Sequence, residues 1–375
     1  MLNRPTTLQS RRRTGRRYII MLVVIFAAVA GWTALWKYAA ARAQEASAEW
    51  RAREAAAGRV FTCGEETVGG YPFRLEVSCA QARIQFRDVQ PPLNVALPRV
   101  LMVAQVYQPN LLIVEFQGPL QLGENGKPVE FEARWSLGQA SVSGVLTTPD
   151  RVSLVFDMPK ASRLGSGSDT LFDATHLEVH GRPAQDSGKP GLEIGIRLQQ
   201  GLIPPWRATA ALPVDAVIDA VLRGVTDFSP KPWPVRLREM QAAGGGIEIK
   251  QARVVQGDIL AVGRGALTFN AAGRLDGELR VTIAGLEAFL NEIGAKQIVQ
   301  TSPTMDRLVG ALDRLAPGLG NMARQQVGEN IGTGINAIGE PETLEGRKAV
   351  TVPLRFADGA VYLGPVPLGV IPAGY

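Results

Sequence analysis

The stretch FTCGEETVGGYPFRLEVSCAQARIQFRDV, residues 61 to 89, carries two signals at once. From Phe73 onward, Phe73, Leu75 and Val77 alternate with Arg74, Glu76 and Ser78, and Ile84 and Phe86 alternate with Gln85 and Arg87. A period of two is the signature of a sheet with one face covered. The first part holds the only two cysteines among 375 residues, Cys63 and Cys79, on either side of the run Gly69-Gly70-Tyr71-Pro72-Phe73. The glycines tolerate the positive φ of a tight turn, and Pro72 has no N–H to offer a ladder. A turn centred on Tyr71 sets Gly69 against Phe73, Val68 against Arg74, Thr67 against Leu75 and Cys63 against Cys79. Directly opposed residues have Cα atoms about 4.5 to 5.5 Å apart, within reach of a disulfide. The same register places Glu66 against Glu76, a mildly unfavourable pair. Closing such a loop stabilises a fold by roughly 3 kcal/mol in the chain-entropy view.

The pattern continues downstream. Val100 to Tyr107, NLLIVEFQGPLQL, VEFEARWSL, QASVSGVL, RVSLVFDM, THLEVHGR and LEIGIRLQ are short apolar runs separated by Gly, Pro and Asn. No helical crossover of 10 to 15 residues intervenes, so an antiparallel sheet is expected. Later, GGGIEIKQARVVQGDILAVGRGALTFNAAGRLDGELRVTIAGL reads as strands with a turn at Asn270–Gly273, and KAVTVPLRFADGAVYLGPVPLG as a hairpin turning at Asp358-Gly359. Three stripes have helical spacing: Val214, Val217, Ile218, Val221, Leu222, Val225; then Leu286, Phe289, Leu290, Ile293; then Met305, Leu308, Val309, Leu312, Leu315 between Ser302-Pro303 and Pro317-Gly318. The expected class is mainly β with α: a long, curved antiparallel sheet carrying a few packed amphipathic helices.

Upstream, YIIMLVVIFAAVAGWTALW, Tyr18 to Trp36, is 19 residues without a charge. At about 1.5 Å per helical residue it approaches the ~30 Å of a bilayer's hydrocarbon. Arg4, Arg11, Arg12, Arg13, Arg16 and Arg17 precede it with no acid among them, which predicts a cytoplasmic N-terminus. A cleavable signal peptide is the rival reading, since small residues follow in AAARAQEASA. The length of the run and the cluster of Trp32, Trp36 and Tyr38 favour a retained anchor. The expected division is a basic cytoplasmic tail over 1–17, an anchor over 18–38, a membrane-proximal helix or linker over 39–57 and a strand-rich domain over 58–375, with a subdivision near 205–230.

The anchor changes the meaning of the net charge. Of 40 Lys and Arg, seven lie in residues 1 to 37, which hold no acid, so the rest of the chain carries 33 bases against 35 acids, a net of −2. A nucleic-acid partner requires a basic surface on the folded part, and none is expected. In an oxidising compartment two nearby thiols pair, whereas in the cytosol two free buried cysteines are the ordinary case.

The GGYPFRLEVSC element, AQVYQPN, the GGGIEI to GRLDGELRVTIAGL block and the terminal LRFADGAVYLGPVPLG, together with the anchor, resemble the domain of unknown function 2125 family of alphaproteobacterial envelopes. The resemblance spans nearly the whole chain and implies an envelope protein, with no catalytic residue to carry over. A looser architectural likeness, at the level of fold alone, extends to AsmA-like envelope proteins.

Chemistry is sparse in the residue inventory. The only histidines, His176 and His180, share one face of a strand with Glu178, but four residues at about 3.4 Å each separate them by some 13 to 14 Å, too far to share an ion. No G-x-S-x-G elbow, P-loop or H-E-x-x-H motif occurs. Glu65 and Glu66 lie by the turn and are expected to be solvated, and a carboxylate-pair hydrolase is set by space and not by spacing. The expectation is a non-catalytic protein with no metal or cofactor, anchored in a bacterial inner membrane with its main domain in the periplasm. It would bind or conduct lipid on an uncovered sheet face, or act as a scaffold for an envelope protein.

Overall fold

A computed structural model of the chain describes residues 11–87, 89–145, 148–165, 169–185, 190–202, 212–226, 231, 233–292, 339–363 and 366–373. It opens with a single helix, α1 (Arg11–Ala56), that runs through the uncharged stretch and on through nearly all of the expected linker without a break. Its span from Gly15 is long and apolar enough to cross a membrane, and its most apolar window has no residue buried against the rest of the chain. These properties fit a membrane anchor.

The strands follow as β1 (Arg59–Thr62), β2 (Glu65–Gly69), β3 (Arg74–Phe86), β4 (Leu93–Gln105), β5 (Gln108–Gln117), β6 (Leu120–Glu124), β7 (Phe131–Arg134), β8 (Leu137–Ser143), β9 (Arg151–Asp157), β10 (Lys160–Arg163), β11 (Asp169–Asp173), β12 (His176–Pro183), β13 (Gly191–Gly201) and β14 (Val214–Arg223). After α2 (Trp233–Ala242) come β15 (Gly246–Gln256), β16 (Ile259–Phe269), β17 (Leu275–Ala284), α3 (Leu286–Glu292), β18 (Glu340–Leu344), β19 (Arg347–Ala357), β20 (Ala360–Leu363) and β21 (Val366–Val370).

All 21 strands among the described residues belong to one antiparallel sheet. Its main run is β2-β3-β4-β5-β8-β9-β12-β13-β14-β15-β16-β17-β19-β20-β21, and among the described residues its first and last strands do not pair, so the sheet is open. The sheet forks at β4, whose first half pairs with β6 and begins a branch β6-β7-β10-β11. A bridge from Asp173 to Leu202, just past β13, ties that branch back to the main run. Trp135, at the fork, donates its indole N–H to the Phe116 carbonyl at 2.7 Å and packs on Phe156 with ring centroids 4.9 Å apart.

Two expectations need correction. The stripe from Val214 to Val225 is a strand over Val214–Arg223, hydrogen-bonded on both sides to β13 and β15. Its β-branched residues prefer the pleated surface. The helical spacing arises because Val217 and Val221 lie on one face of the strand while Val214, Ile218 and Leu222 lie on the other. Val221 is wholly buried even though Glu193 and Glu248 stand opposite it in the neighbouring strands.

The hairpin register is also displaced. Val68 faces Val77, Thr67 faces Ser78, Glu66 faces Cys79 and Gly69 faces Glu76, which centres the turn between Pro72 and Phe73. The turn is a four-residue loop, Gly70 to Phe73, closed by the Arg74 N–H donating to the Gly70 carbonyl, and Gly70 takes φ +95°. The like-charge Glu66–Glu76 pairing therefore does not arise. Glu66 receives the Arg51 guanidinium from α1 instead.

Of the remaining stripes, Leu286, Phe289 and Leu290 fall in α3, while Ile293 and the stripe Met305 to Leu315 lie outside the described residues. α2 lies outside the three stripes of helical spacing. Its Pro234 sits in the first turn where a missing N–H costs nothing, and Gly244 ends it at φ +58° while the Gly245 N–H caps the Met240 carbonyl. Leu237 and Met240 of α2 are buried against Leu192 and Val225, and Leu286 and Leu290 of α3 against Ile283, Val352 and Leu363.

Candidate functional site

Three features stand out, and the turn motif is the first. Trp32 of α1 donates its indole N–H to the Pro72 carbonyl, and Trp36 does the same to the Arg74 carbonyl, each at 2.8 Å. The hydroxyls of Thr33 and Tyr71 meet at 2.8 Å, and Trp36 stands edge-on to Tyr71 with centroids 5.6 Å apart. The run Gly69–Phe73 is thus a clasp that holds the first hairpin against the helix, one turn from the end of the uncharged stretch. Further along α1, Trp50 packs on Phe61 and Glu54 pairs with Arg59, so the helix lies along the edge of the sheet.

Cys63 and Cys79 stand at bonding distance with Cα atoms 5.4 Å apart, although they are not register partners. The chain leaves the ladder at Cys63-Gly64, between β1 and β2, and Gln81 bulges opposite at φ +52°, which carries Cys63 back toward Cys79. No other cysteine exists to compete for either thiol.

The second feature is the pattern of the sheet's two faces. Side chains of directly paired residues share a face, so a row can be followed across the ladder. Val68, Val77, Met102, Val114, Ala140, Leu154, Val179, Ile196, Ile218, Ala252, Gly263, Val281 and Val352 are partners in succession across thirteen strands, from β2 to β19. No polar residue interrupts that row. A parallel row two residues away runs from Leu75 through Ala104, Leu112, Val142, Val152, Gly181, Ile194, Ala220, Ile249, Gly265, Leu279 and Leu354 to Leu363, again without a polar member.

At strand spacings near 4.8 Å the first row is about 58 Å long if laid flat. The buried clusters on this face, with α2 and α3, draw on β13 to β20. On β4, β5, β8, β9 and β12, the row members Met102, Val114, Ala140, Leu154 and Val179 are only half-buried.

The third feature is the opposite face, which is charged over β9 to β15 and carries a buried apolar cluster of Leu260, Ala284 and Ala349 farther along. His176 bonds through Nδ1 to Asp157 at 2.6 Å and through Nε2 to Glu178 at 2.8 Å, and Glu178 also meets His180 and Arg197 at 3.4 and 3.6 Å. The Glu178 and Asp157 carboxylates raise the pKa of His176, and the His176 bond, followed by His180 and Arg197, lowers that of Glu178. Glu193 lies between Lys250 and Arg182, which hold its carboxyl below the usual range. An open concavity of about 590 Å³ lies alongside, lined by Arg151, Ser153, His180, Arg182, Glu193, Asp219, Lys250 and Gln251 among others.

The histidines therefore reach the same carboxylate although the strand rise sets them apart, and both nitrogens of His176 are occupied by acids. Among the described residues, no group of three or more His, Cys, Asp or Glu is placed to hold a metal ion. Glu65 is exposed and Glu66 half-buried under Arg51. The alternation around Val68, Leu75 and Val77 was visible in the sequence. The continuity of the rows was not, because it depends on twelve registers, each of which a slip of one residue would invert.

Fold and site define a helix-tethered, open antiparallel sheet with one apolar and one charged face. Residues 36–372 match the family described as "Uncharacterized protein conserved in bacteria (DUF2125)", and the chain belongs to that family. No curated protein and no solved structure matches the chain.

Proposed function

We propose that the protein holds the acyl chains of membrane lipids on its apolar sheet face and conducts them away from the bilayer in which α1 is anchored. The reading places the arginine-rich N-terminus in the cytoplasm and the sheet in the periplasm, following the asymmetry of basic residues around the span.

The observation that supports it is the uninterrupted apolar row from Val68 to Val352, half-buried from Met102 on β4 to Val281 on β17 and beginning beside the anchor. Apolar surface left in water costs about 25 cal/mol per Å², and a soluble sheet normally removes that cost by covering the face. A row of about 58 Å exceeds the ~15 Å depth of one leaflet's hydrocarbon several times over, so it accommodates an acyl chain at successive positions. Binding of this kind needs no catalytic group, only an apolar trough with a polar exterior.

The test is lipid co-purification. The full chain, extracted in a mild detergent and exchanged extensively, is expected to retain phospholipid detectable by mass spectrometry and to take up a fluorescent phospholipid after delipidation. A preparation that neither retains nor takes up lipid would falsify the reading.

A further inference from the structure

The aromatic residues at the anchored end of the sheet take no part in the apolar rows. Phe73 and Tyr107 are 62% and 68% exposed, and Tyr71 is 48% exposed. They occupy the tips of two adjacent turns, β2 to β3 and β4 to β5, tied together by the Val106 N–H donating to the Phe73 carbonyl at 3.1 Å. Large aromatic side chains bury some 150 to 250 Å² each when covered, so three at one corner form an apolar patch of a size that marks a contact surface.

The clasp with α1 sets the depth of this corner. With 1.5 Å of rise per residue, Trp32 lies about 21 Å and Trp36 about 27 Å along the helix from Tyr18. Both thus fall close to the far boundary of a hydrocarbon layer about 30 Å thick that begins at Tyr18. Their indole hydrogen bonds to Pro72 and Arg74 hold the turn at that same level. Aromatic rings with one polar end are the side chains that favour this zone.

We infer that Tyr71, Phe73 and Tyr107 insert into the headgroup and upper acyl region of the leaflet facing the sheet, so that the first two hairpins rest in the membrane surface. The occupant of the patch is the phospholipid interface itself. The inference rests on reading α1 as a retained anchor and is independent of whether the apolar rows carry lipid.

The test uses the full chain in phosphatidylcholine vesicles that contain a phospholipid with a nitroxide high on its acyl chain. Phe73→Cys, Tyr107→Cys and Met158→Cys are each labelled with an environment-sensitive fluorophore, and peptide mapping confirms a single labelled site. Met158 is a suitable control because it is also exposed, at 57%, but follows β9 at the opposite strand ends. Intact mass and resistance to alkaline extraction establish that residues 18 to 36 are present and inserted. The expected result is blue-shifted emission and nitroxide quenching at 73 and 107, with neither at 158. An inserted helix with water-like emission at 73 and 107 overturns the inference alone, and a chain lacking the helix overturns the anchor reading along with it.

Discussion

The His176 and Glu178 pair shows what a polar face contributes beyond solubility. His176 has its pKa raised above the ordinary 6.5, first by Glu178 and then by Asp157, so its stabilising contribution is complete below pH 6.5 and is lost as pH rises through the folded value. Glu178 has its pKa lowered from the ordinary 4.5, first by His176, so its contribution is present above pH 4.5 and is lost as pH falls through the folded value. Asp157 from β9 and Arg197 from β13 face the pair from either side, and His180 approaches from the same strand. Thermal denaturation as a function of pH is expected to show this site contributing most between about 4.5 and 6.5. His176→Gln should flatten the decline above that window, and an unchanged alkaline limb in the variant would show that the network is not coupled to folding. The sequence placed both histidines and Glu178 on one strand face, as found. It could not supply Asp157, which arrives from a strand nineteen residues earlier through the β9–β12 register.

At the scale of single elements, the clasp between α1 and the first turn converts a local conformational demand into a global one. Gly70 sits at φ +95°, and a Cβ there would stand 2.7 Å from the Arg74 carbonyl oxygen, the same atom that accepts the Trp36 indole N–H. Gly69 beside it has open space for a Cβ and no positive φ. Gly70→Ala should therefore cost more than about 1 kcal/mol and loosen the turn from the helix, whereas Gly69→Ala should be nearly neutral. Chemical denaturation of both variants, with Trp32 and Trp36 emission as the reporter, distinguishes them, and equal costs would refute the strain argument. The glycine-rich turn was legible from composition, but its partner was not. The belt of Trp32 and Trp36 reads in isolation as a lipid contact, and only the tertiary arrangement shows each indole N–H donating to a backbone carbonyl of the hairpin.

Across the whole molecule, the two faces of the sheet differ in chemistry. The row through Val114, Leu154 and Val179 crosses the strands where no described helix covers it, and the charged network lies on the reverse of β9 and β12. A charge in the row interrupts the apolar path at a cost of several kcal/mol if it is desolvated, so Leu154→Asp should abolish lipid retention. Val179→Thr, which replaces a methyl with a hydroxyl at nearly the same volume, should weaken retention while the fold persists. Arg197→Gln, on the other face, should leave it unchanged. Lipid content by mass spectrometry beside circular dichroism separates these outcomes. Equal retention by all three folded variants would remove the apolar face from any role in binding.

The sequence alone determined the uncharged N-terminal span, the antiparallel β class and the two strand hairpins near Asn270 and Asp358, because each is written in a period or a composition that neighbours cannot alter. It also marked the cysteine pair and the sharp turn between them, while placing that turn's centre one and a half residues too early. Tertiary structure decided the rest. Whether Val214 to Arg223 became a helix or a strand depended on having β13 and β15 on both sides, since its apolar residues satisfy either period. The fork at β4, the docking of the turn on α1 and the unbroken apolar row are all consequences of which strands meet and in what register. Pairing between strands is set by contacts summed over the whole sheet, and no local stretch of chain contains that sum.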